Sequence, residues 1–461
     1  MKNLNIVIPA LFMLLLFFGC HPRKENTHIQ KQEIQLNRDT VRKEIEEVLN
    51  RELELFYPLC LDTTDGGYDN DINYKWQLEG PQNKMIVSQA RHVWSLSNAA
   101  MFYPGKKEKF YSYASHGYMF LRDVMWDKQS GGFYNIVTKT GKPFIGNGET
   151  IKQAYGNAFA IYALAAYYKA FGDTSALGLA KRAFDWMEKH SYDPHHGGYF
   201  QFMERDGTPL TAGFGGTPPK DQNSSIHILE SFAELYGVWN DALLKDRLGS
   251  LLRIIRDTIV TPKGYMHLFF QRDWTPLSYR NAPFWERRNF DLDHVSFGHD
   301  IETAYLLLEA SDKLGNHNDT VTLRIAKKMV DHTMNNGWDK LNGGIFDGGY
   351  YYTNDENKIK IVKETKEFWT QVEALNSFLM MSQLFPDDSV YYHKFLEMWD
   401  YNKKYVIDNE YGGWYWRGSD MSPEVKFTPK ANIWKADYHT SRAMINCLRR
   451  LDNKKINALK K

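Results

Sequence analysis

The sequence predicts an all-α protein, an (α/α)6 barrel of about twelve helices with short β-hairpins at Gly-Gly turns. A turn with one or two glycines before an aromatic or apolar residue recurs six times, at positions 66, 131, 197, 264, 343 and 412. The copy at 264 has a single glycine, and the intervals are 65, 66, 67, 79 and 69 residues. Each interval accommodates two helices of ordinary length. Six such pairs close into a ring, with an open solenoid as the structural alternative.

Apolar residues at helical spacing lie between the turns and indicate the inner helices of this ring. The four clearest stretches are residues 158–170, 226–236, 301–310 and 372–384. Inner helices are expected to be apolar on nearly all sides, whereas outer helices need only one apolar face.

The composition narrows the classes of function. Among 461 residues, 57 Lys and Arg balance 56 Asp and Glu, which leaves no basic surface for nucleic acid. Three cysteines exclude a disulfide scaffold and a multi-cysteine zinc module. Aromatic residues make up 15% of the chain, an excess that suits a ligand with flat apolar faces such as a sugar.

The N-terminal residues resemble a bacterial lipoprotein signal. Lys2 precedes an apolar run over residues 6–18, which is shorter than the ~20 residues of a membrane span, and Gly19-Cys20 follow it. We therefore expect cleavage before Cys20, a lipid on Cys20, and a protein of the cell envelope that meets the membrane only through this anchor. A plain secretion signal with an incidental cysteine is the alternative. The predicted divisions are a signal peptide over 1–19, a polar tether over 20–40 and the barrel over 41–461.

One large polar or aromatic residue lies near the N-terminal end of each predicted inner helix. In chain order they are Arg91, Tyr155, His227, His299, Trp369 and His439. A second layer lies about one helical turn deeper, at Trp94, Glu230, Glu302, Glu373 and Arg442. Charged groups on inner helices are unstable in an apolar core unless they meet partners. In a closed ring these side chains would meet at one end of the axis, as in a catalytic pocket.

Motifs of several other chemistries are absent from the sequence. It contains no His-Glu-x-x-His run and no cysteine pair for a metal, and the Gly-rich stretch 213–220 lacks the Lys-Ser/Thr of a phosphate loop. Proton transfer remains, because histidine titrates near neutrality. Two histidines on opposite walls can invert a carbon next to a carbonyl, with an arginine stabilising the enediolate. In a sugar that carbon is C2 of the open-chain aldose.

Five stretches of the sequence carry a family resemblance. They are residues 91–97 (RHVWSLS), 223–227 (NSSIH), 297–302 (FGHDIE), 369–373 (WTQVE), and Trp434-Lys435 followed by Tyr438-His439. Together they resemble the N-acylglucosamine 2-epimerase superfamily, and within it the cellobiose and mannobiose 2-epimerases. The resemblance extends from about residue 45 to the C-terminus, and it implies an (α/α)6 barrel that uses no cofactor.

The resemblance also implies roles for individual residues. His299 and His439 would form the acid/base pair on C2, and His227 would assist ring opening and contact the reducing-end hydroxyls. Arg91 would bind the C1 and C2 oxygens. Asn223, Glu302 and Glu373 would hold the sugar and the histidine rings, and Trp369 would stack on the sugar. The complete predicted substrate-binding set is Arg91, Tyr155, Asn223, Glu302, Trp369, Glu373 and Trp434.

Two positions depart from the family pattern. Phe368 stands where the family often has a tryptophan, and Gln201 stands where it often has a glutamate. These departures bear on how a second sugar is bound and therefore on the choice of substrate.

The sequence thus predicts a sugar 2-epimerase that inverts C2 at the reducing end of a β-linked disaccharide or oligosaccharide. The nearest alternatives are an N-acylglucosamine 2-epimerase and an aldose–ketose isomerase, which shares the enediolate. More distant ones are a non-catalytic sugar-binding lipoprotein and an (α/α)6 glycoside hydrolase, which would use two carboxylates from Asp300, Glu302 and Glu373. A sugar is the expected partner, and the oligomeric state is left open.

Overall fold

The structure is a computed structural model that describes residues 24–144, 150–282, 287–353 and 357–452. The chain divides into two compact units, Met1–Glu44 and Ile45–Lys461. Within the described ranges it contains twelve α-helices and nine short strands, which confirms the predicted all-α class.

Inner and outer helices alternate along the second unit. The inner helices are α2 (Ile86–Phe102), α4 (Ala154–Phe171), α6 (Gln222–Tyr236), α8 (Phe297–Lys313), α10 (Phe368–Leu384) and α12 (Tyr438–Leu451). The others are α1 (Lys24–Phe56), which begins in the first unit, α3 (Lys107–Phe120), α5 (Thr174–His190), α7 (Ala242–Ile254), α9 (Thr320–Asn336) and α11 (Val390–Tyr401). Each inner helix packs against the next, and α12 packs against α2. This last contact closes the ring, so the barrel prediction is confirmed and the open solenoid is not.

Burial separates the two kinds of helix as the sequence predicts. In α4 nearly every residue from Ala154 to Tyr167 is buried, and the helix is rich in alanine, which lets neighbouring helices approach closely. In α5 the buried residues follow helical spacing on one side only, for example Leu179, Ala183 and Met187. An inner helix therefore contacts protein all round, and an outer helix packs through one face.

The strands are short antiparallel pairs around the ring. They are β1 (Lys84–Met85), β2 (Ile136–Val137), β3 (Lys152–Gln153), β4 (Phe202–Met203), β5 (Lys220–Asp221), β6 (Phe269–Phe270), β7 (Val295–Ser296), β8 (Gly348–Tyr351) and β9 (Ile359–Lys363). The pairs are β1–β2, β3–β4 and β5–β6, and β7, β8 and β9 form a three-stranded sheet. Strands β1, β3, β5 and β7 each end where an inner helix begins, so they fix the start of that helix.

Buried lysines form ion pairs at five of the six glycine turns in the described part of the chain. Their Nζ atoms bind the aspartates that open the turns, in the pairs Lys84–Asp62, Lys152–Asp127, Lys220–Asp193, Lys366–Asp339 and Lys430–Asp408. Four of these lysines also donate to the carbonyl of the first glycine of the turn. At the turn with the single glycine, Thr261 and Val295 stand at the aspartate and lysine positions. Both members of the pair are thus replaced together, which avoids leaving one buried charge unpaired.

The N-terminal predictions fall largely outside the described residues. Cys20 and the predicted signal peptide lie there, so lipidation and the boundary before Cys20 stay predictions. Helix α1 begins at Lys24 and therefore passes through much of the segment predicted as a polar tether. Among the described helices, none is both long enough and apolar enough to cross a bilayer.

Candidate active site

A cavity of about 600 Å³ opens at the N-terminal ends of the inner helices. Its walls include Asn223, Ser296, His299, Glu367 and Trp369, which lie at or just before the starts of α6, α8 and α10. A second hollow of about 680 Å³ lies on the outside, against α9 and α11. None of the predicted site residues lines this outer hollow, so the candidate site is the inner cavity.

Two histidines from different inner helices contact the same tryptophan. The ring centroid of Trp369 on α10 lies 4.9 Å from that of His299 on α8 and 5.8 Å from that of His439 on α12. Nδ1 of His299 lies 2.8 Å from the hydroxyl of Ser296, and Nδ1 of His439 lies 2.7 Å from Oε1 of Glu373. An ionised carboxylate only accepts hydrogen bonds, so Nδ1 of His439 carries the hydrogen and Nε2 remains the basic atom.

Burial keeps both of these histidines neutral near pH 7. It lowers the pKa of His299 to about 3, and the neighbouring rings of His227, His294 and His439 act in the same direction. Burial also lowers the pKa of His439, and the positive charge of Arg91 adds to this effect. A neutral imidazole accepts a proton, so each ring can begin a proton transfer as the base.

A third histidine lies on α6 at the same end of the ring. Nδ1 of His227 lies 2.9 Å from Oε2 of Glu230, one helical turn away. The imidazole packs against the rings of Tyr155 and Phe159, at centroid distances of 5.2 and 4.8 Å. The glutamate therefore fixes the tautomer of this ring, as Glu373 does for His439.

Arg91 is a buried cation beside these rings. It donates from Nη1 to the carbonyl of Trp434 at 2.9 Å and from Nη2 to the hydroxyl of Tyr155 at 3.0 Å. Its guanidinium lies 4.6 Å from the ring centroid of Phe159. Within the described structure, its buried Nε has no hydrogen-bond partner. A fixed cation with a spare donor suits an oxygen that acquires negative charge during a reaction.

Arg442 joins the three glutamates of the deeper layer. It forms ion pairs with Glu230 and Glu302, and its Nη2 lies 2.6 Å from Oε1 of Glu373. Tyrosine hydroxyls add to the network, since Tyr438 donates to Glu230 at 2.8 Å and Tyr305 donates to Glu373 at 2.7 Å. Three buried carboxylates therefore meet one guanidinium, and the surplus negative charge favours a positive charge on an adjacent histidine.

The environments of two of these carboxylates shift their pKa values in opposite directions. Burial raises the pKa of Glu373, and Arg442 only partly opposes it. Burial would also raise the pKa of Glu230, but the charge of Arg442 and the bond to His227 hold it at about 2. Glu230 is thus firmly anionic, whereas Glu373 holds a proton more readily than an ordinary glutamate.

Three residues of this network have the spacing that a metal ion requires. Glu302, Glu373 and His439 each place one potential ligand atom within 4.8 Å of the others. Arg442 binds both of these carboxylates, however, and supplies the positive charge that an ion would bring. The donor set therefore suits a guanidinium better than a metal.

The structure brings most of the predicted site residues together. Arg91, Tyr155, His227, His299, Trp369 and His439 surround one end of the axis, as their phase in the sequence predicts. Glu302 and Glu373 lie in the layer below, and Asn223 lines the cavity. Trp434 is 51% exposed and binds Arg91 through its backbone carbonyl. Trp94, predicted for the second layer, contacts Tyr438 of the deeper network at a centroid distance of 5.2 Å and stacks on Tyr162 at 5.1 Å.

Four contributors to the site were not predicted as such. They are Ser296, Tyr305, Glu367 and Tyr438, which bind His299, Glu373, Trp369 and Glu230 respectively. Tyr305 lies three residues after Glu302 on the same helix, a spacing that could have identified it. The other three lie at an inner-helix start or one residue before it, where the sequence offers no periodic signal.

A ring of helices with histidines, an arginine and buried carboxylates at one end is the arrangement expected of a carbohydrate isomerase, and named relatives of this chain are of that class. The sequence model of the family described as N-acylglucosamine 2-epimerase (GlcNAc 2-epimerase) matches residues 66–443, and the chain belongs to this family.

Individual relatives agree with this assignment. The cellobiose 2-epimerase of Ruminococcus albus is 29% identical over 418 residues, which cover 88% of this chain and 98% of that protein. The solved cellobiose 2-epimerase from Spirochaeta thermophila has a TM-score of 0.76 at 28% identity and covers 90% of this chain and 98% of its own. The solved cellobiose 2-epimerase from Bacillus thermoamylovorans has a TM-score of 0.77 at 26% identity, and the match covers 89% of this chain and 100% of that one. The predicted family, fold and enzyme class are therefore confirmed.

Proposed function

We propose that the enzyme inverts C2 at the reducing end of a β-linked disaccharide or short oligosaccharide of the cellobiose or mannobiose type. The observation that carries this proposal is the contact of two neutral imidazoles, His299 and His439, with one tryptophan, Trp369. The names of the related cellobiose 2-epimerases support the choice of sugar.

The reaction begins with the opening of the sugar ring. His227 lies beside the pair and has its tautomer fixed by Glu230. In this proposal it moves the proton between the anomeric hydroxyl and the ring oxygen, which yields the open-chain aldehyde. Only the aldehyde makes the C2 proton acidic enough for an imidazole to remove.

Inversion then proceeds through an enediolate. One of His299 and His439 removes the proton from C2 with its Nε2, and the electron pair moves to the carbonyl oxygen. Arg91 stabilises the resulting oxyanion, and the other histidine delivers a proton to the opposite face of the planar carbon. The negative network around Arg442 stabilises the imidazolium cations that form during these transfers.

The cavity has room for more than one sugar unit. Its volume of about 600 Å³ lies within the ~300–1,000 Å³ of small-molecule sites. Asn223 and Trp369 line it and would contact the reducing-end sugar, as would Tyr155 beside Arg91, with Glu302 and Glu373 in the deeper layer. The exposed indole of Trp434 offers a flat surface for the second sugar.

Incubation with cellobiose and with mannobiose tests the proposal directly. The expected product is the C2 epimer, identified by chromatography and NMR, with no monosaccharide released. The alditol and the methyl β-glycoside of the same disaccharide are matched controls and should be inert, because neither can form the aldehyde. Release of monosaccharide would assign a hydrolase, and a ketose product would assign an aldose–ketose isomerase.

We also propose that the mature enzyme is anchored in the cell envelope by a lipid on Cys20. This cysteine lies outside the described residues, and the apolar run before it supports the proposal. Cys20→Ser should move the protein from the membrane fraction to the soluble fraction and abolish the lipid mass on the N-terminal peptide. His21→Ala is the matched control and should fractionate like the wild type. Equal fractionation of Cys20→Ser and wild type would refute the anchor.

A further inference from the structure

A carboxylate outside the catalytic set binds the tryptophan that contacts both histidines. Nε1 of Trp369 donates to Oε2 of Glu367 at 2.7 Å. Glu367 precedes α10 directly and lines the cavity. Its own position is fixed, because its backbone N–H donates to Oδ1 of Asp347 at 2.8 Å and the preceding Lys366 is buried against Asp339.

The carboxylate of Glu367 does not cap α10. Aspartates cap α5, α6, α7 and α9, but the inner helices α2, α4, α8 and α12 have no side-chain cap, and α10 is like them. The hydrogen bond of the Glu367 carboxylate therefore goes to the indole of Trp369 and not to the helix backbone.

The opposite edge of the indole lies against α8. A Cβ atom added to Gly298 would overlap the ring edge of Trp369 and the hydroxyl of Thr370. Gly298 directly precedes His299, so the ring lies tightly against the backbone that carries this histidine. The indole is therefore held from two helices, by Glu367 on one side and by Gly298 on the other.

The position of the indole affects the planes of both imidazoles. The hydrogen bond through Nδ1 restrains each imidazole at one atom only. The indole contacts the two rings at interplanar angles of 46° to His299 and 38° to His439. These contacts add a second restraint on each ring, and hence on the direction in which each Nε2 points.

We propose that Glu367 is a positioning residue for epimerisation: it fixes the plane of Trp369, and Trp369 in turn holds the two imidazoles toward opposite faces of one carbon. This inference rests on the proposed function. Glu367 acts through the indole and transfers no proton itself.

Two substitutions separate the hydrogen bond from the charge. Glu367→Gln keeps an acceptor for the indole and should retain kcat within about 3-fold. Glu367→Leu has no acceptor, and its kcat should fall by about 10-fold or more. The reason is that misplacing reacting groups by ~1 Å can lower the rate by about 10²-fold. The Michaelis constant should change less than kcat. Glu364→Leu, an exposed change in the same loop, is the matched control and should behave like the wild type.

A double-mutant cycle tests whether Glu367 acts through Trp369. Trp369→Phe removes the indole N–H, so Glu367→Leu should have little further effect in that background. In heavy water, Glu367→Leu should retain more exchange of the C2 proton than epimer formation, because one correctly placed base suffices for exchange. Loss of fold alone would reduce both in proportion. An equal loss of kcat from Glu367→Leu in both backgrounds would overturn the inference.

Crystal structures test the same point without a substrate. In Glu367→Leu the indole should rotate and both imidazole planes should change, while Glu367→Gln should superpose on the wild type. An unmoved indole in Glu367→Leu would overturn the inference. If the wild type converts neither disaccharide, the proposed function fails, and these structures still decide the role of Glu367.

Discussion

Nδ1 of His439 lies 2.7 Å from Oε1 of Glu373, and the same oxygen accepts a hydrogen bond from Arg442 at 2.6 Å. A single buried carboxylate oxygen therefore connects the imidazole to a permanent cation. This arrangement selects the tautomer of His439 and stabilises the imidazolium, while Arg442 keeps the carboxylate from neutralising fully.

Glu373→Gln should lower kcat by about 10²-fold or more, because an amide neither enforces the tautomer nor balances the imidazolium charge. Arg442 retains Glu230 and Glu302, so the fold should survive. Steady-state kinetics and near-UV circular dichroism measure the two effects. Glu309→Gln, toward the C-terminal end of α8 and away from the cavity, is the control. Activity of Glu373→Gln close to that of the control would show that the carboxylate is dispensable.

His299→Asn and His439→Asn should each reduce epimerisation by about 10²–10⁴-fold, the usual contribution of one general acid–base group. In heavy water, each variant should still exchange the C2 proton of one epimer through its remaining histidine. Proton NMR of both epimers measures exchange and conversion together. His317→Asn is the control, since His317 is exposed and paired with Asp312. If both site variants epimerise at the rate of this control, the two-base assignment is wrong.

The pKa of His299 should make the protein less stable in mild acid. Burial lowers this pKa from 6.5 to about 3, so the unfolded chain binds more protons than the folded chain between these values. The stability contributed by the neutral ring is complete above pH 6.5 and is lost as the pH falls toward 3. The linkage amounts to at most about 2 kcal/mol at pH 5, because each pH unit below 6.5 is worth about 1.4 kcal/mol.

Thermal unfolding at pH 7 and pH 5 checks this linkage. The melting temperature of His299→Asn should fall less between the two pH values than that of the wild type. An identical fall would mean that His299 titrates in the folded protein near its ordinary pKa.

The buried Lys84–Asp62 pair provides a test of the turn anchors. Lys84→Val leaves Asp62 buried without its cation and should cost about 3–5 kcal/mol in the free energy of unfolding. Adding Asp62→Thr should restore part of that loss, because Thr261 and Val295 occupy these positions in another repeat. Chemical denaturation measures both variants. A double variant less stable than Lys84→Val would contradict the equivalence of the repeats.

The repeat explains why the fold and the first layer of the site could be predicted. Inner-helix starts recur in phase, so residues such as His227 and His299 meet once the ring closes. The partners within the site could not be assigned in the same way. Arg442 binds Glu302 and Glu230 from 140 and 212 residues away, and several carboxylates at that depth could have been its partner. Which carboxylates pair with Arg442 depends on side-chain packing across the ring, and the periodicity of the sequence does not describe that packing.

The anchoring residues escaped prediction for a different reason. Lys84 and Lys152 lie next to ordinary polar residues, and a lysine near a helix start is usually solvated. Their complete burial follows from the way each turn folds over the next helix start. Glu367 is similar, because its position before α10 indicates a helix cap, whereas its carboxylate binds Trp369 instead.

The contact between α12 and α2 has a consequence for synthesis of the enzyme. Both His439 and Arg442 belong to α12, so a growing polypeptide has no complete pocket until residues 438–451 have left the ribosome. Until then Glu230, Glu302 and Glu373 lack their cation, and the apolar flanks of α2 and α10 face water. A ribosome-bound chain that ends before Tyr438 should therefore expose the apolar surfaces of two helices and bind chaperones. Release of the final helix would end this exposure and create the active site in the same event.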